Sequence, residues 1–131
     1  MDKCDLQSRT KQFALRALKL SAALPRSPEA AIIRGQLARC GTSVGSNYRA
    51  ACKARSRAEF IAKMGTVEEE ADESGFWMEM IIEGGFMKSP RVHSLLRESY
   101  ELTRIMGASR VTASRRQTPK SIRQSAIGNG Q

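Results

Sequence analysis

The sequence predicts an all-α fold: an antiparallel, up-and-down four-helix bundle followed by a flexible basic C-terminal tail. Four segments carry residues at alternating intervals of four and three, the repeat that places side chains on one face of a helix. Short stretches rich in proline, glycine and serine separate these segments, which is typical of antiparallel neighbours in a bundle. Aromatic residues make up only 5% of the chain, and this composition favours helices over strands.

The first predicted helix has Asp5 as its expected N-cap and ends before Pro25 and Pro28, since proline interrupts helical hydrogen bonding. We use the word stripe for the row of residues on the inward face of a helix. The stripe of the first helix consists of Leu6, Thr10, Phe13, Ala17, Leu20 and Leu24.

The second predicted helix begins with Ser27 as its cap, Pro28 at the first helical position and Glu29 in the first turn. Its stripe is Ile33, Leu37, Cys40, Val44, Asn47 and Ala51. The intervals continue without a break through residues 40–51, so this stretch of small and polar residues is predicted to be helical. Gly41 and Gly45 each cost about 1 kcal/mol relative to alanine in a helix. We therefore expect a neighbouring backbone to pack closely against them.

The third predicted helix begins near Ser56, which with Glu59 forms a capping-box pattern, and Gly84 or Gly85 ends it as a left-handed cap. Its stripe is Phe60, Met64, Val67, Ala71, Ser74, Met78 and Ile81. The fourth helix follows Ser89 and Pro90 and is predicted to end at Gly107. Its stripe is Val92, Leu95, Ser99, Leu102 and Met106.

These elements divide the chain into a bundle over residues 5–106 and a tail over residues 107–131. The tail contains Arg110, Arg115, Arg116, Lys120 and Arg123, no acidic residue and few large apolar ones. Such a segment buries too little surface to offset its ordering entropy, so we expect it to be flexible.

The net charge of the protein is +9, from 22 lysines and arginines against 13 acidic residues. This excess predicts a polyanionic partner. Nucleic acid, either RNA or DNA, is the favoured partner, and an acidic membrane surface is the second possibility. The sequence contains no apolar run long enough for a transmembrane helix, and its N-terminal segment is polar, so we expect a cytoplasmic protein and no membrane partner. The three cysteines are expected to remain thiols.

We expect no catalytic residue, metal or cofactor in this protein. Glu-x-x-His pairs, which di-iron bundles require, do not occur, and His93 is the single histidine. A catalytic triad would need a histidine as general base, and apart from His93 the chain contains no histidine. Glu69, Glu70 and Glu73 could hold a divalent ion, but an acidic solvated helix face is the simpler interpretation.

A polar network is predicted between the second and third helices, because a buried carboxylate needs hydrogen-bond donors. Two interpretations are open: a functional polar site in the core, or a network that fixes the register of the helices, which we favour. The predicted members are Ser43, Asn47, Glu70, Glu73 and Ser74.

The candidate nucleic-acid-binding residues cluster around the second interhelical turn and in the tail. Arginine and lysine would contact phosphates, and Tyr48 would stack on a base. The alternative is a solvated turn that offsets the acidic third helix. No motif for sequence-specific reading is present. The candidates are Arg34, Arg39, Tyr48, Arg49, Lys53, Arg55, Arg57, Arg110, Arg115 and Arg116.

Residues 35–81 carry an ordered set of elements that resembles a known family. The elements are Gln36-Leu37, Thr42-Ser43-Val44-Gly45, Asn47-Tyr48-Arg49, Ser56, Glu59-Phe60, Glu70-Ala71, Glu73-Ser74 and Trp77, with Phe13 and Leu24-Pro25 upstream. The family is that of the bacterial four-helix-bundle proteins named after the 23S rRNA intervening sequences that encode them. The resemblance covers most of residues 10–106 and leaves the tail outside.

This resemblance implies a homopentamer of four-helix protomers without known enzymatic activity. Relatives of the family include accessory proteins of diversity-generating retroelements, basic pentamers that bind a reverse transcriptase and nucleic acid. We therefore predict a non-enzymatic, oligomeric bundle that binds nucleic acid mainly through charge. The alternative is a protein-interaction adaptor, such as a reverse-transcriptase accessory factor.

Overall fold

The computed structural model of the protein describes residues 1–117, which form four α-helices and no strand. The helices are α1 (Lys3–Ala22), α2 (Pro28–Cys52), α3 (Arg57–Glu83) and α4 (Ser89–Gln117). The predicted all-α four-helix bundle is confirmed. None of the helices described combines the length and the apolar character that crossing a bilayer requires.

Each helix packs mainly on the helix next to it in sequence, and α1 touches α4 less extensively. The contacts between α1 and α2 show the antiparallel arrangement, because Gly41 lies against Ala17 while Gly45, one turn later, lies against Thr10. A Cβ atom added to Gly41 would stand only 2.4 Å from the Ala17 Cβ. Close packing of the two backbones is therefore the reason for this glycine, as the sequence predicts.

Three side chains cap the helices at their N-termini. Ser27 accepts from the Ala30 amide at 3.1 Å and Ser56 accepts from the Glu59 amide at 3.0 Å, so both predicted serine caps are confirmed. The predicted Asp5 cap is wrong, since α1 begins earlier with Asp2 as its cap. Each of these two aspartates accepts a hydrogen bond from the backbone amide of the other.

The C-terminus of α3 uses both glycines of the following turn. Gly84 is the cap residue and keeps a right-handed backbone conformation, whereas Gly85 has φ of 73°, the left-handed conformation that glycine adopts most readily. The reversal of the chain after α3 therefore depends on Gly85.

The core is formed by the predicted stripes with two exceptions. Every predicted stripe residue of α1 and α4 is buried, and in α3 only Phe60 is half-buried. In α2 the structure buries Tyr48 and leaves Asn47 half-buried. Both positions fit an interval of three or four from Val44, and burying the larger aromatic side chain removes more apolar surface from water.

The predicted end of the fourth helix at Gly107 is wrong, because α4 continues to Gln117. The stripe continues as well, with Ala113 buried beyond Met106. Gly107 leaves room for a side chain of α3, because a Cβ atom at this position would stand only 2.8 Å from the Glu68 carboxylate. The helical bundle therefore includes residues 107–117 of the predicted tail, and residues 118–131 lie outside the described residues.

Candidate nucleic-acid interface

One end of the bundle brings together cationic side chains from three helices and from the turn between two of them. The chain reverses between Cys52, the last residue of α2, and Arg57, the first of α3. Since α4 runs antiparallel to α3, with Gly107 opposite Glu68 and Ser99 opposite Gly75, the last turn of α4 reaches the same end. We call the exposed cations gathered there the basic end: Arg49, Lys53, Arg55, Arg57, Arg115 and Arg116.

Within residues 1–117, no member of the basic end forms an ion pair with an acidic side chain. The ion pairs in that part of the chain use Arg9, Arg39, Arg104 and Arg110 as their cations. The basic end therefore presents six charges to solvent, and their mutual repulsion favours a polyanion at this surface.

A groove crosses the basic end between the first turn of α3 and the last turns of α4. It has a volume of about 540 Å³, and two arginines from distant parts of the sequence line it. Phe60 lines the same groove and packs with its inner side against the hydrophobic core. The complete lining is Arg57, Phe60, Ser109, Thr112, Ala113 and Arg116. The sequence predicts Phe60 only as a core residue, and the helical repeat gives no signal for its place in the groove lining.

Three predicted phosphate-binding arginines lie elsewhere and are engaged within the protein. Arg39 forms an ion pair with Glu73 and lies 3.3 Å from Glu70, and the Nε of Arg110 donates to Glu68 at 2.8 Å. Arg34 donates to the Pro25 carbonyl oxygen at 2.8 Å, at the opposite end of the bundle. Their hydrogen bonds to glutamates raise the pKa of both Arg39 and Arg110. These three arginines therefore do not belong to the basic end.

The expected stacking of Tyr48 on a nucleic-acid base is wrong, because the side chain is 5% exposed and packs in the core. Burial raises the pKa of its phenol, and Cys52 beside it adds to the effect. The amphipathic repeat of α2 turns this residue inward while its neighbour Arg49 remains exposed.

The predicted polar network is assembled between α2 and α3. The Asn47 side-chain amide donates to the Ser43 hydroxyl at 2.7 Å, and that hydroxyl donates to a Glu70 carboxylate oxygen at 2.9 Å. Ser74 is an exception among the predicted members, because its hydroxyl donates to the backbone carbonyl of Glu70 in its own helix at 2.8 Å and not to a carboxylate. Glu73 joins the network through Arg39, which contacts both glutamates.

The outer part of this network is the indole of Trp77, whose Nε1 donates to Glu73 at 3.1 Å. The Arg39 guanidinium, and then this indole, hold the pKa of the Glu73 carboxyl below its ordinary value. Among the described residues, no buried side-chain nitrogen or oxygen lacks a hydrogen-bond partner. The hydrogen bond from Ser43 to Glu70 and the contacts of Arg39 with both glutamates join α2 to α3, as contacts that fix the register of two helices require.

Within residues 1–117 there is no group of three or more histidine, cysteine or acidic residues arranged to hold a metal ion. His93 is exposed on α4. The three cysteines are free thiols, with Cys4 exposed, Cys52 half-buried and Cys40 buried. Burial raises the pKa of the Cys40 thiol, which keeps it in the unreactive protonated form.

The fold and the site define a small helical-bundle protein with a cluster of exposed cations around the turn between α2 and α3 and the end of α4. The chain belongs to the family of 23S rRNA-intervening sequence proteins, whose model matches residues 2–108. The resemblance seen in the sequence is thereby confirmed. The last turns of α4, which contribute Arg115 and Arg116, lie beyond the matched residues.

The structure is also similar to the crystal structure of a protein of unknown function from the S23 ribosomal protein family, from Bacteroides thetaiotaomicron. The TM-score is 0.77 and the sequences are 28% identical, over 84% of this chain and 98% of that one. No curated protein matches the chain significantly. Neither the family nor this neighbour carries an enzymatic indication.

Proposed function

We propose that the protein binds nucleic acid, with RNA as the preferred ligand, through electrostatic contacts made by the basic end. The observation that carries this proposal is the convergence of six exposed cations, none in an ion pair within residues 1–117, from α2, the turn after it, α3 and α4. We further propose that the protein has no enzymatic activity of its own and meets its ligand in the cytoplasm.

Binding of this kind depends on the release of counterions from the phosphate backbone. Each neutralised phosphate of a single strand adds about 0.7 to the negative slope of log K against log salt. Six contacts would therefore give a slope of about −4, and the affinity would change little with base sequence.

The experiment is a salt titration of binding to a labelled RNA, with a paired charge reversal at the basic end. Arg55→Glu with Arg57→Glu should weaken binding of unrelated sequences alike. The matched control is Lys88→Glu with Arg91→Glu, which makes the same change in net charge with exposed residues at the opposite end of the bundle. The control should retain most of the affinity, because long-range charge effects are screened beyond about 10 Å at 0.1 M salt.

Two results would contradict the proposal. One is an affinity that stays constant between low and moderate salt. The other is an equal loss in both charge-reversal variants, which would show that net charge alone matters and not the basic end. A protein partner retained after nuclease treatment, with no binding to nucleic acid at low salt, would instead support the adaptor function.

We also propose that the protein is a homo-oligomer, and a pentamer as the family resemblance implies. The single chain exposes large apolar side chains that an interface between copies would cover. Phe76 and Met80 lie one turn apart on α3 and are 50% and 41% exposed. Light scattering measures the mass in solution directly, and a monomeric mass across the concentration range would contradict the proposal.

A further inference from the structure

We propose that the groove between Arg57 and Arg116 binds one nucleotide of a single-stranded nucleic acid, with its base stacked on Phe60. This inference rests on the proposed function and adds to it a preference for single strands over duplexes. The groove differs from the rest of the basic end because it combines two arginines with an aromatic side chain.

The arrangement follows from the spacing of residues on two antiparallel helices. Arg57 and Phe60 are three residues apart on α3, so they share one face. On α4 the groove-lining residues Ser109, Thr112 and Arg116 follow the same helical repeat. The two faces meet across the groove and place a cation on each side of it.

The dimensions of the groove suit a single nucleotide. Its volume of about 540 Å³ lies within the range of about 300–1,000 Å³ that is usual for small-ligand sites. The hydroxyl groups of Ser109 and Thr112 can donate hydrogen bonds to phosphate or to the edge of a base. Phe60 is half-buried, with one side held by the hydrophobic core, so its position is fixed before a ligand arrives.

Stacking on Phe60 requires a base that is free to leave its neighbours. Bases of a single strand can splay outward and stack on an aromatic side chain, whereas those of a duplex are stacked and paired inside it. Arg57 and Arg116 would contact the phosphates on either side of the bound nucleotide. Duplex binding would use only the outer cations, such as Lys53 and Arg55.

The test compares binding of a labelled single-stranded RNA of about 12 nucleotides with binding of the duplex of the same sequence, by fluorescence anisotropy with the full chain. Phe60→Leu keeps an apolar side chain against the core but removes the aromatic ring. It should weaken single-strand binding about 5- to 10-fold and leave duplex binding unchanged. Phe60→Tyr, which keeps an aromatic ring, should bind the single strand about as tightly as the wild-type protein does.

Arg57→Gln and Arg116→Gln provide a second measurement that does not depend on the folding of the Phe60 variant. Each should lower single-strand affinity more than Arg55→Gln does, since Arg55 lies at the same end but outside the groove lining. In duplex binding the order should be reversed, with Arg55→Gln having the larger effect, because a duplex would contact the outer cations and not the groove.

The outcomes separate this inference from the proposed function. Unchanged single-strand affinity in Phe60→Leu, or equal effects of the three arginine substitutions, would overturn the inference and leave the electrostatic function standing. If the wild-type protein binds neither the single-stranded RNA nor the duplex at low salt, both the inference and the proposed function are overturned. Displacement of the RNA by polyglutamate as effectively as by unlabelled RNA would overturn the inference in favour of an acidic protein partner.

Discussion

Gly41 of α2 lies so close to Ala17 of α1 that a Cβ on the glycine would stand 2.4 Å from the alanine Cβ. Carbon atoms in van der Waals contact are about 3.5–4.0 Å apart. Neither group is the end of a flexible side chain, so the contact can be relieved only if the helices separate. This approach sets how α1 sits on α2.

Gly41→Ala should therefore lower the free energy of unfolding by about 1–2 kcal/mol, because overpacking outweighs the gain in helix propensity. Gly35→Ala is the matched control, since Gly35 lies in the same helix and has no atom within 4 Å of its would-be Cβ. The control should raise stability by up to about 1 kcal/mol. Urea denaturation measures both, and a Gly41→Ala protein as stable as the control would refute the steric explanation.

The hydroxyl of Ser43 is expected to stabilise the α2–α3 contact, because it accepts from Asn47 and donates to Glu70. Ser43→Ala leaves both partners half-buried without this bond and should cost about 1–2 kcal/mol. Ser46→Ala, an exposed serine one turn along the same helix, should change stability by less than about 0.5 kcal/mol. Equal denaturation midpoints for the two variants would show that the Ser43 hydroxyl contributes nothing.

The ion pair of Arg9 with Glu98 is expected to couple α1 to α4. Its two hydrogen bonds measure 2.6 and 2.8 Å, and the two side chains are only 24% and 15% exposed. A double-mutant cycle with Arg9→Met and Glu98→Gln should give a coupling energy of about 1–2 kcal/mol. Arg104→Met serves as control, since its pair with Glu101 is long at 3.9 Å and exposed, and it should cost about 0.5 kcal/mol or less. A coupling energy near zero would contradict the expected role.

Both tyrosines should resist ionisation in the folded protein. Burial raises the pKa of Tyr48, and a hydrogen bond donated to Glu79 raises the pKa of Tyr100 to about 12. The folded state favours the neutral phenols, so this stabilisation is complete below the unfolded pKa of about 10. For Tyr100 it is lost as the pH rises through about 12.

A base titration followed by phenolate absorbance tests this expectation. Native protein should show little phenolate at pH values where the urea-unfolded chain is half-ionised, and Tyr100→Phe should remove the step assigned to that residue. A native titration curve that coincides with the unfolded one would contradict the prediction.

The periodic part of the fold is predictable from the sequence because burial of one helix face leaves a repeat in the residue types. Phe13, Met64 and Leu102 follow the intervals of four and three, and each is buried. The Ser27 and Ser56 caps are equally local, since each depends on an amide three residues away. The end of α4 is not predictable from the sequence, because glycine is a common helix terminator. The close approach of Glu68 explains the glycine at this position, and the burial of Ala113 shows that the inward face of the helix continues beyond it.

The site was harder to predict because charge in a sequence carries no information on pairing. Arg39 and Glu73 are far apart in the chain and meet only through the relative register of α2 and α3. Val44 is followed by two candidates for the core, and the repeat alone does not choose between Asn47 and Tyr48. The groove beside Phe60 needs the end of α4, which the predicted boundary placed in the tail.

The extensive contacts in this bundle join helices that are consecutive in the chain, and only the smaller α1–α4 contact closes a long loop. Such a topology has low contact order, and helical proteins of this kind fold in about microseconds to milliseconds. Each helical hairpin can form as soon as its second helix is available, and docking of α4 on α1 completes the molecule. The nascent chain therefore has little time in which its apolar surfaces are open to aggregation.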